Sequence, residues 1–157
     1  DIRENVLFGE SRSKGTDGDV QQALELAQAT EFVEKLPGGI KAPISEGGSN
    51  VSGGQKQRLS IARALAKQAP VLIFDDSFSA LDFKTDAALR RALAQETKGR
   101  TTLIVAQRVS TIMNADQIIV LEDGKIVGKG THKELLKTCK VYEEIARSQL
   151  SEEEIAQ

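Results

Sequence analysis

Apolar residues recur at helical spacing between Asp19 and Ala29, where Val20, Ala23, Leu24 and Ala27 line one side behind a run of acidic residues suited to a helix start. A second short helix is expected from Thr30 to Leu36, and Pro37-Gly38-Gly39 stops it. The stretch onward to Gly48 carries turn formers and little periodicity, so it reads as a loop. Ser52 and Gln55 then stand at capping-box spacing ahead of a helix expected to reach about Lys67. Leu59, Ala62, Leu65 and Ala66 fall on the buried side of that helix, and its N-terminus is glycine-rich and open.

Beyond Pro70 the period changes. Val71 to Phe74 is apolar on both faces and runs into Asp75-Asp76, the pattern of a buried parallel strand. Thr101 to Ala106 repeats it, and Thr85 to Thr97 between them reads as a helix. Strand, helix and strand make a right-handed crossover unit, so the expected fold class is α/β. Ile118 to Leu121 and Lys125 to Val127 flank Asp123-Gly124, a strong hairpin signal, and Thr131 with Glu134 boxes the start of a terminal helix. Ser151 to Glu154 reads as a solvated acidic tail, and no internal repeat or low-complexity tract appears.

Totals narrow the picture. A chain of 157 residues with 39% hydrophobic content suits one globular core or a piece of one. Its 21 basic and 23 acidic residues leave a net charge of -2, without the basic excess that phosphate-backbone binding needs, so no nucleic-acid partner is expected. Cys139 is the only cysteine and His132 the only histidine, which excludes an internal disulfide and a Cys/His zinc cluster and suits a reducing interior. Apolar runs such as Ile118 to Leu121 are far shorter than the roughly 20 residues that span a bilayer. The chain opens with Asp1-Ile2-Arg3-Glu4, without an initiator Met or signal-peptide pattern, and is read as a fragment.

The candidate chemistry begins at Val51-Ser52-Gly53-Gly54-Gln55-Lys56-Gln57-Arg58. A hydroxyl, two glycines that admit close approach and a helix N-terminus together form an anion site suited to a terminal phosphate, with no lysine required. The same string also fits a merely capped helix after a flexible turn. Asp75, at the tip of a hydrophobic strand, is where nucleotide hydrolases hold magnesium, although buried strands also end in Asp at ordinary turns. Ser79-Ala80-Leu81-Asp82 follows at close range.

In that order these segments resemble the signature, Walker B strand, D-loop and switch region of ATP-binding cassette (ABC) domains, over nearly the whole chain. Val51 to Gln55 resembles the signature, with Val for the usual Leu; Asp75 resembles the magnesium-holding Walker B acid, and Ser79, Ala80, Leu81 and Asp82 the D-loop. Asp1 to Gly9 resembles the segment after the Q-loop of exporter-type members, and Ile44-Ser45-Glu46-Gly47-Gly48 their X-loop. The resemblance implies a partial P-loop NTPase fold. Residues 1–68 would form a helical signature subdomain with the X-loop, residues 69–150 the Walker B, D-loop and switch part of the core with its hairpin and C-terminal helices, and residues 151–157 the tail. It implies ATP and Mg²⁺ as cofactors, a second nucleotide-binding domain and transmembrane domains as partners, and a place at the cytoplasmic face of a membrane. The family builds each ATP site from two chains, so Ser52, Gly53, Gly54 and Gln55 would complete a partner's site. Glu46 would lie on the route to the membrane helices; otherwise it is an exposed loop acid.

Two departures stand out. Members usually place Glu after the Walker B Asp, where this chain has Asp76, one methylene shorter; a general base must come within about 2.6 to 3.2 Å of its water. Where the switch His usually stands, Ala106-Gln107-Arg108 offers an amide that can hydrogen-bond a phosphate but cannot carry a proton or charge. Asp76 and Gln107 together resemble the degenerate half of a heterodimeric exporter. The alternatives are an ATP-gated clamp of the chromosome-maintenance or repair type, which should bring basic surface and coiled-coil insertions, and a regulatory subunit that binds without turnover.

No Gly-x-x-x-x-Gly-Lys string followed by Ser or Thr occurs, and Gly9 to Thr16 has its residues in the wrong order, so it is read as a surface loop. By itself the chain is expected to bind ATP poorly. In the resembling fold the strand before the phosphate loop lies between Thr101 to Ala106 and Ile118 to Leu121, so unpaired edges and exposed apolar faces are expected here. These residues alone should be marginally stable; a monomeric species that melts cooperatively well above body temperature would contradict that.

Overall fold

Helices in this chain start where a short polar side chain can turn back onto the backbone. Asp1 accepts a hydrogen bond from the Glu4 amide at 2.8 Å and opens α1 (Ile2–Val6). Thr16 and Asp19 form a reciprocal capping box ahead of α2 (Asp17–Leu26). The computed structural model describes residues 1–9 and 15–155. Residues 10–14, within the Gly9 to Thr16 segment expected as a surface loop, and residues 156–157 of the tail lie outside them. The chain divides into two compact units, Asp1–Val105 and Ala106–Gln157.

In the first unit, α2 begins earlier and ends earlier than its periodicity implied, because Gln28 turns into the left-handed region at φ 55°. The short helix α3 (Thr30–Glu34) follows, then a loop carrying 3-10 turns at Gly39–Lys41 and Glu46–Gly48. Helix α4 (Gly53–Ala66) receives α1 and α2 against it. Leu59, Ile61, Ala62 and Leu65 of α4 join Ile2, Val6, Val20, Leu24 and Val33 in one apolar core. Ala66, expected inside, is only partly buried. Helix α1 escaped the periodicity reading since five residues are too few to display a 3.6-residue period.

Strand β1 (Val71–Asp75), helix α5 (Phe83–Glu96) and strand β2 (Thr101–Val105) form the expected strand-helix-strand unit, with β1 and β2 parallel and Val71 opposite Thr101. One expectation fails here. Successive side chains of a strand point to opposite faces, and core lies on only one of them. Leu72 and Phe74 are buried, whereas Val71, Ile73, Leu103 and Val105 are exposed, Ile73 to 63%. Among the described residues the sheet is two-stranded and this apolar face is uncovered.

In the second unit a short helix α6 (Val109–Ile112) leads to the antiparallel pair β3 (Ile118–Glu122) and β4 (Lys125–Gly130). Asp123 and Gly124 both take positive φ, 47° and 73°, as a tight hairpin turn with the right twist requires. The expected terminal helix is broken in two. Thr131 and Glu134 box the start of α7 (His132–Thr138), Cys139 is extended at φ -123° and ψ 102°, and α8 (Lys140–Gln149) follows. The break lets both helices bring apolar side chains, Leu135 from one and Tyr142 and Ala146 from the other, onto Ile118 and Val120. The acidic stretch is exposed but helical over α9 (Glu152–Ile155), with Ser151 and Glu154 bonded to each other. No helix among the described residues is long and apolar enough to cross a membrane.

His132 is 4% exposed, with Nδ1 2.8 Å from the Tyr142 hydroxyl and Nε2 without a partner. Burial, reinforced by the charge of Lys133, holds its pKa below the ordinary 6.5. A depressed folded-state pKa makes the unfolded chain the better proton binder, so this stabilisation is fully present above about pH 6.5 and fades as pH falls through the folded value. Tyr142 is the sole tyrosine in a chain without tryptophan, so its fluorescence reports this unit. Denaturation midpoints followed by that signal should fall between pH 7 and 5, and should be flatter in His132→Asn; equal slopes for the two proteins would refute the assignment.

Candidate functional site

The site starts from the first turn of α4. Ser52, in an extended conformation at φ -69° and ψ 164°, accepts from the Gln55 amide through Oγ at 3.3 Å. Gln55 Oε1 accepts in turn from the Ser52 N–H at 2.8 Å. This box satisfies two of the donors that a helix leaves orphaned at its start; the N–H groups of Gly53 and Gly54 remain at the open end, where the helix dipole concentrates positive potential. Ser52 and Gly53 are exposed. An anion placed there would meet the positive end of the helix dipole.

Behind the open turn lies the segment after β1. Asp75 and Asp76 are both exposed, and Asp76 sits in the left-handed region at φ 48°. Aspartate tolerates that region better than most residues. The backbone there is tied on both sides: the Asp76 N–H donates to the Val105 carbonyl at 3.0 Å, and its own carbonyl accepts from Ser79 Oγ at 3.1 Å. Phe78 and Leu81 anchor the turn in the core, with the Phe78 ring 5.7 Å from that of Phe74. Asp82 then caps α5, accepting from the Thr85 amide at 2.9 Å and its hydroxyl at 2.7 Å. Those bonds hold the exposed Asp82 carboxyl below its usual pKa.

The structure brings the first turns of α4 and the Ser79–Ala80 turn together. A Cβ on Gly54 would meet the Ala80 carbonyl oxygen at 3.1 Å, so only glycine allows this approach without displacement. Gln57, on the next turn of α4, bonds across the same gap: Nε2 donates to the Asp76 carbonyl and to Ser79 Oγ, both at 3.2 Å, and Oε1 accepts from the Ala80 N–H at 3.0 Å. Sequence reasoning singled out Gln55 and passed over Gln57. Nothing in the linear string marks it, because its partners stand 19 to 23 positions away.

Glu46 is exposed in its own turn, which is strapped to α4 by Lys56 Nζ donating to the Gly47 carbonyl at 2.8 Å. Asn50 braces the same loop, accepting from the Ser45 amide and donating to the Pro43 carbonyl. An open groove of about 940 Å³ lies between this loop, α1 and α4, lined among others by Arg3, Phe8, Ile44, Lys56 and Arg63. In the second unit Gln107 is exposed. Gln149 holds its backbone, donating to the Gln107 carbonyl at 2.9 Å while accepting from the Val109 amide at 2.8 Å.

No cluster of three or more His, Cys, Asp or Glu able to hold a metal occurs among the described residues. Magnesium in nucleotide sites needs only one or two carboxylates, with phosphates and water completing its octahedron. The exposed carboxylate of Asp75 at the strand tip fits that modest donor set.

The ABC transporter family model matches residues 2–79. The chain is 48% identical to an ATP-dependent lipid A-core flippase of Albidiferax ferrireducens over 94% of its own length and 25% of the relative's. It is 45% identical to an ABC transporter ATP-binding protein of Bacillus subtilis, YfiB, over 97% of this chain and 26% of that one. Among solved structures, a bacterial Atm1-family ABC exporter with ATP bound superposes with a TM-score of 0.89 at 36% identity, over 96% of this chain and 26% of the exporter. The chain thus spans about a quarter of the length of these relatives. With the capped glycine turn, the acid-tipped strand and the turn that joins them in their expected order, the chain belongs to the ABC transporter family, with the α/β fold of its ATP-binding domain.

Proposed function

We propose that this chain works as part of the nucleotide-binding domain of an ABC exporter, where ATP binding and hydrolysis drive transport. The observation that carries this reading is the open first turn of α4, with Ser52 and Gln55 locked in a capping box and Gly53 and Gly54 free to meet a phosphate. A site of that kind, with no lysine of its own, suits the γ-phosphate of an ATP held by a second nucleotide-binding domain. Asp75 would hold Mg²⁺, which neutralises charge on the transferring phosphoryl group. Asp76 would orient the attacking water, and Gln107 would hydrogen-bond the γ-phosphate.

Asp76 and Gln107 also support a slow site on this chain within a heterodimer. A shorter carboxylate reaches less far for the water, and an amide supplies no charge or proton. Ser52 to Gln55 would then serve the faster site of the partner. Glu46 and the groove beside it are a candidate contact for the transmembrane domains, which would hold the assembly at the cytoplasmic face of the membrane. The functional division we favour keeps residues 1–68 as the signature part, residues 69–150 as the catalytic part and residues 151–157 as a tail.

Two substitutions in the intact transporter test this. Gly53→Asp puts a carboxylate where a helix start favours negative charge but a phosphate does not. Turnover should fall by about tenfold or more while the melting temperature holds or rises slightly; unchanged turnover would rule out the signature role. Asp76→Glu combined with Gln107→His should raise ATP turnover by the paired domains, and an unaltered rate would count against a degenerate site.

A further inference from the structure

Gln57 has no part in the ATP chemistry described so far, yet its side chain bonds across from α4 to the turn after β1 at three points. Its two amide hydrogens go to the Asp76 carbonyl and Ser79 Oγ, and its oxygen takes the Ala80 N–H. The orientation of the amide is dictated by its partners. A backbone N–H can only donate and a backbone carbonyl can only accept, so Oε1 must face Ala80 and Nε2 must face Asp76. A primary amide is a side chain that offers both kinds of group from one rigid plane. Glutamate would keep the acceptor and set a negative oxygen against the Asp76 carbonyl; leucine would match the bulk and lose every bond.

The groups that Gln57 joins belong to different half-sites. Its own helix begins at Ser52, Gly53 and Gly54, the phosphate-facing turn offered to a partner domain. Asp76 and Ser79 border the carboxylates at the tip of β1. Gly54 already lets the Ala80 carbonyl come close, but that contact only forbids bulk and does not hold the two segments together. Two further side-chain bonds of the turn are local, Ser77 Oγ to the Asp75 carbonyl and Ser79 Oγ to that of Asp76. These cannot relate the turn to α4.

We propose that Gln57 is a positioning residue that locks the Asp76–Ala80 turn to the signature end of α4, so that the site this chain completes in a partner and the site at its own strand tip shift together. The role rests on the functional reading above and adds to it a physical link between the two sites. A shift of the signature turn on meeting a phosphate would be carried to the Asp76 backbone by direct hydrogen bonds, and the left-handed conformation of Asp76 would be held in register with it.

The test uses the full-length protein assembled with its partner and membrane domains, comparing wild type, Gln57→Leu and Gln57→Glu. Amide hydrogen exchange reads the clamp itself: Gln57→Leu should speed exchange at Ala80 by about tenfold with protection of Val71–Asp75 unchanged. Gln57→Glu, which keeps the acceptor for that amide, should speed it less. ATP turnover reads the consequence: kcat should fall by about fivefold or more in Gln57→Leu, with KM for ATP within about twofold of wild type and Gln57→Glu between the two. Unchanged Ala80 exchange in Gln57→Leu would overturn the clamp. Faster exchange with wild-type kcat would reduce Gln57 to a local structural contact and overturn its positioning role. Wild-type protein with no turnover at all would overturn the functional reading together with this one, whereas turnover that is the same in all three proteins overturns this one alone.

Discussion

A helix cannot satisfy its own first N–H groups, and in α4 that deficit is divided between closure and opening. Ser52 and Gln55 close part of it by bonding to each other's backbone, at about 1 kcal/mol for a cap of this kind. Gly53 and Gly54 carry no side chain that could close the remainder, and Gly53 is exposed. The division works only because the turn is braced from behind. Lys56 ties the preceding loop through the Gly47 carbonyl, Arg58 reaches the Gln28 carbonyl at 2.7 Å while stacking over Phe32, and Gln57 holds the Asp76–Ala80 turn. Three consecutive side chains of one helix thus face three different segments of the first unit.

That bracing gives the two acidic residues after β1 different characters. Asp75 ends a regular strand whose register with β2 is set by the parallel ladder. Asp76 lies beyond it in a left-handed conformation, with its N–H on Val105 and its carbonyl shared by Gln57 and Ser79. Its side chain is therefore directed by a backbone that has little freedom left, and the length of the side chain alone sets its reach. A shift of the main chain there would break these bonds.

The exposed apolar face of β1 and β2 follows from the same alternation that buries Leu72 and Phe74. A strand rich in apolar residues on both sides signals two covered faces, and here core stands on only one. Among the described residues Val71, Ile73, Leu103 and Val105 form an exposed apolar surface, whose burial would be worth roughly 25 cal/mol per Å². The second unit shows the same division, with Ile118 and Val120 buried and Ile119, Leu121 and Ile126 exposed. The break at Cys139 lets α7 and α8 pack together in the core that holds Ile118 and Val120, and His132 Nδ1 meets the Tyr142 hydroxyl there.

Local signals in the sequence determined the capped starts of α4 and α7, the strands β1 and β2, and the Asp123-Gly124 turn. Each of these depends on residues within a few positions of one another, so spacing alone carries them. The same is true of the order of signature, acid-tipped strand and following turn, which is legible as a string. What lay beyond the string was decided by packing. Helix α1 is too short to show a period, and the terminal helix breaks at Cys139 because two faces must reach one hairpin. Only the folded chain shows that a Cβ at Gly54 would crowd the Ala80 carbonyl, and that Gln57 rather than Gln55 reaches the turn. Such contacts join residues far apart in sequence, and their geometry exists only once α4 and β1 have packed into one core.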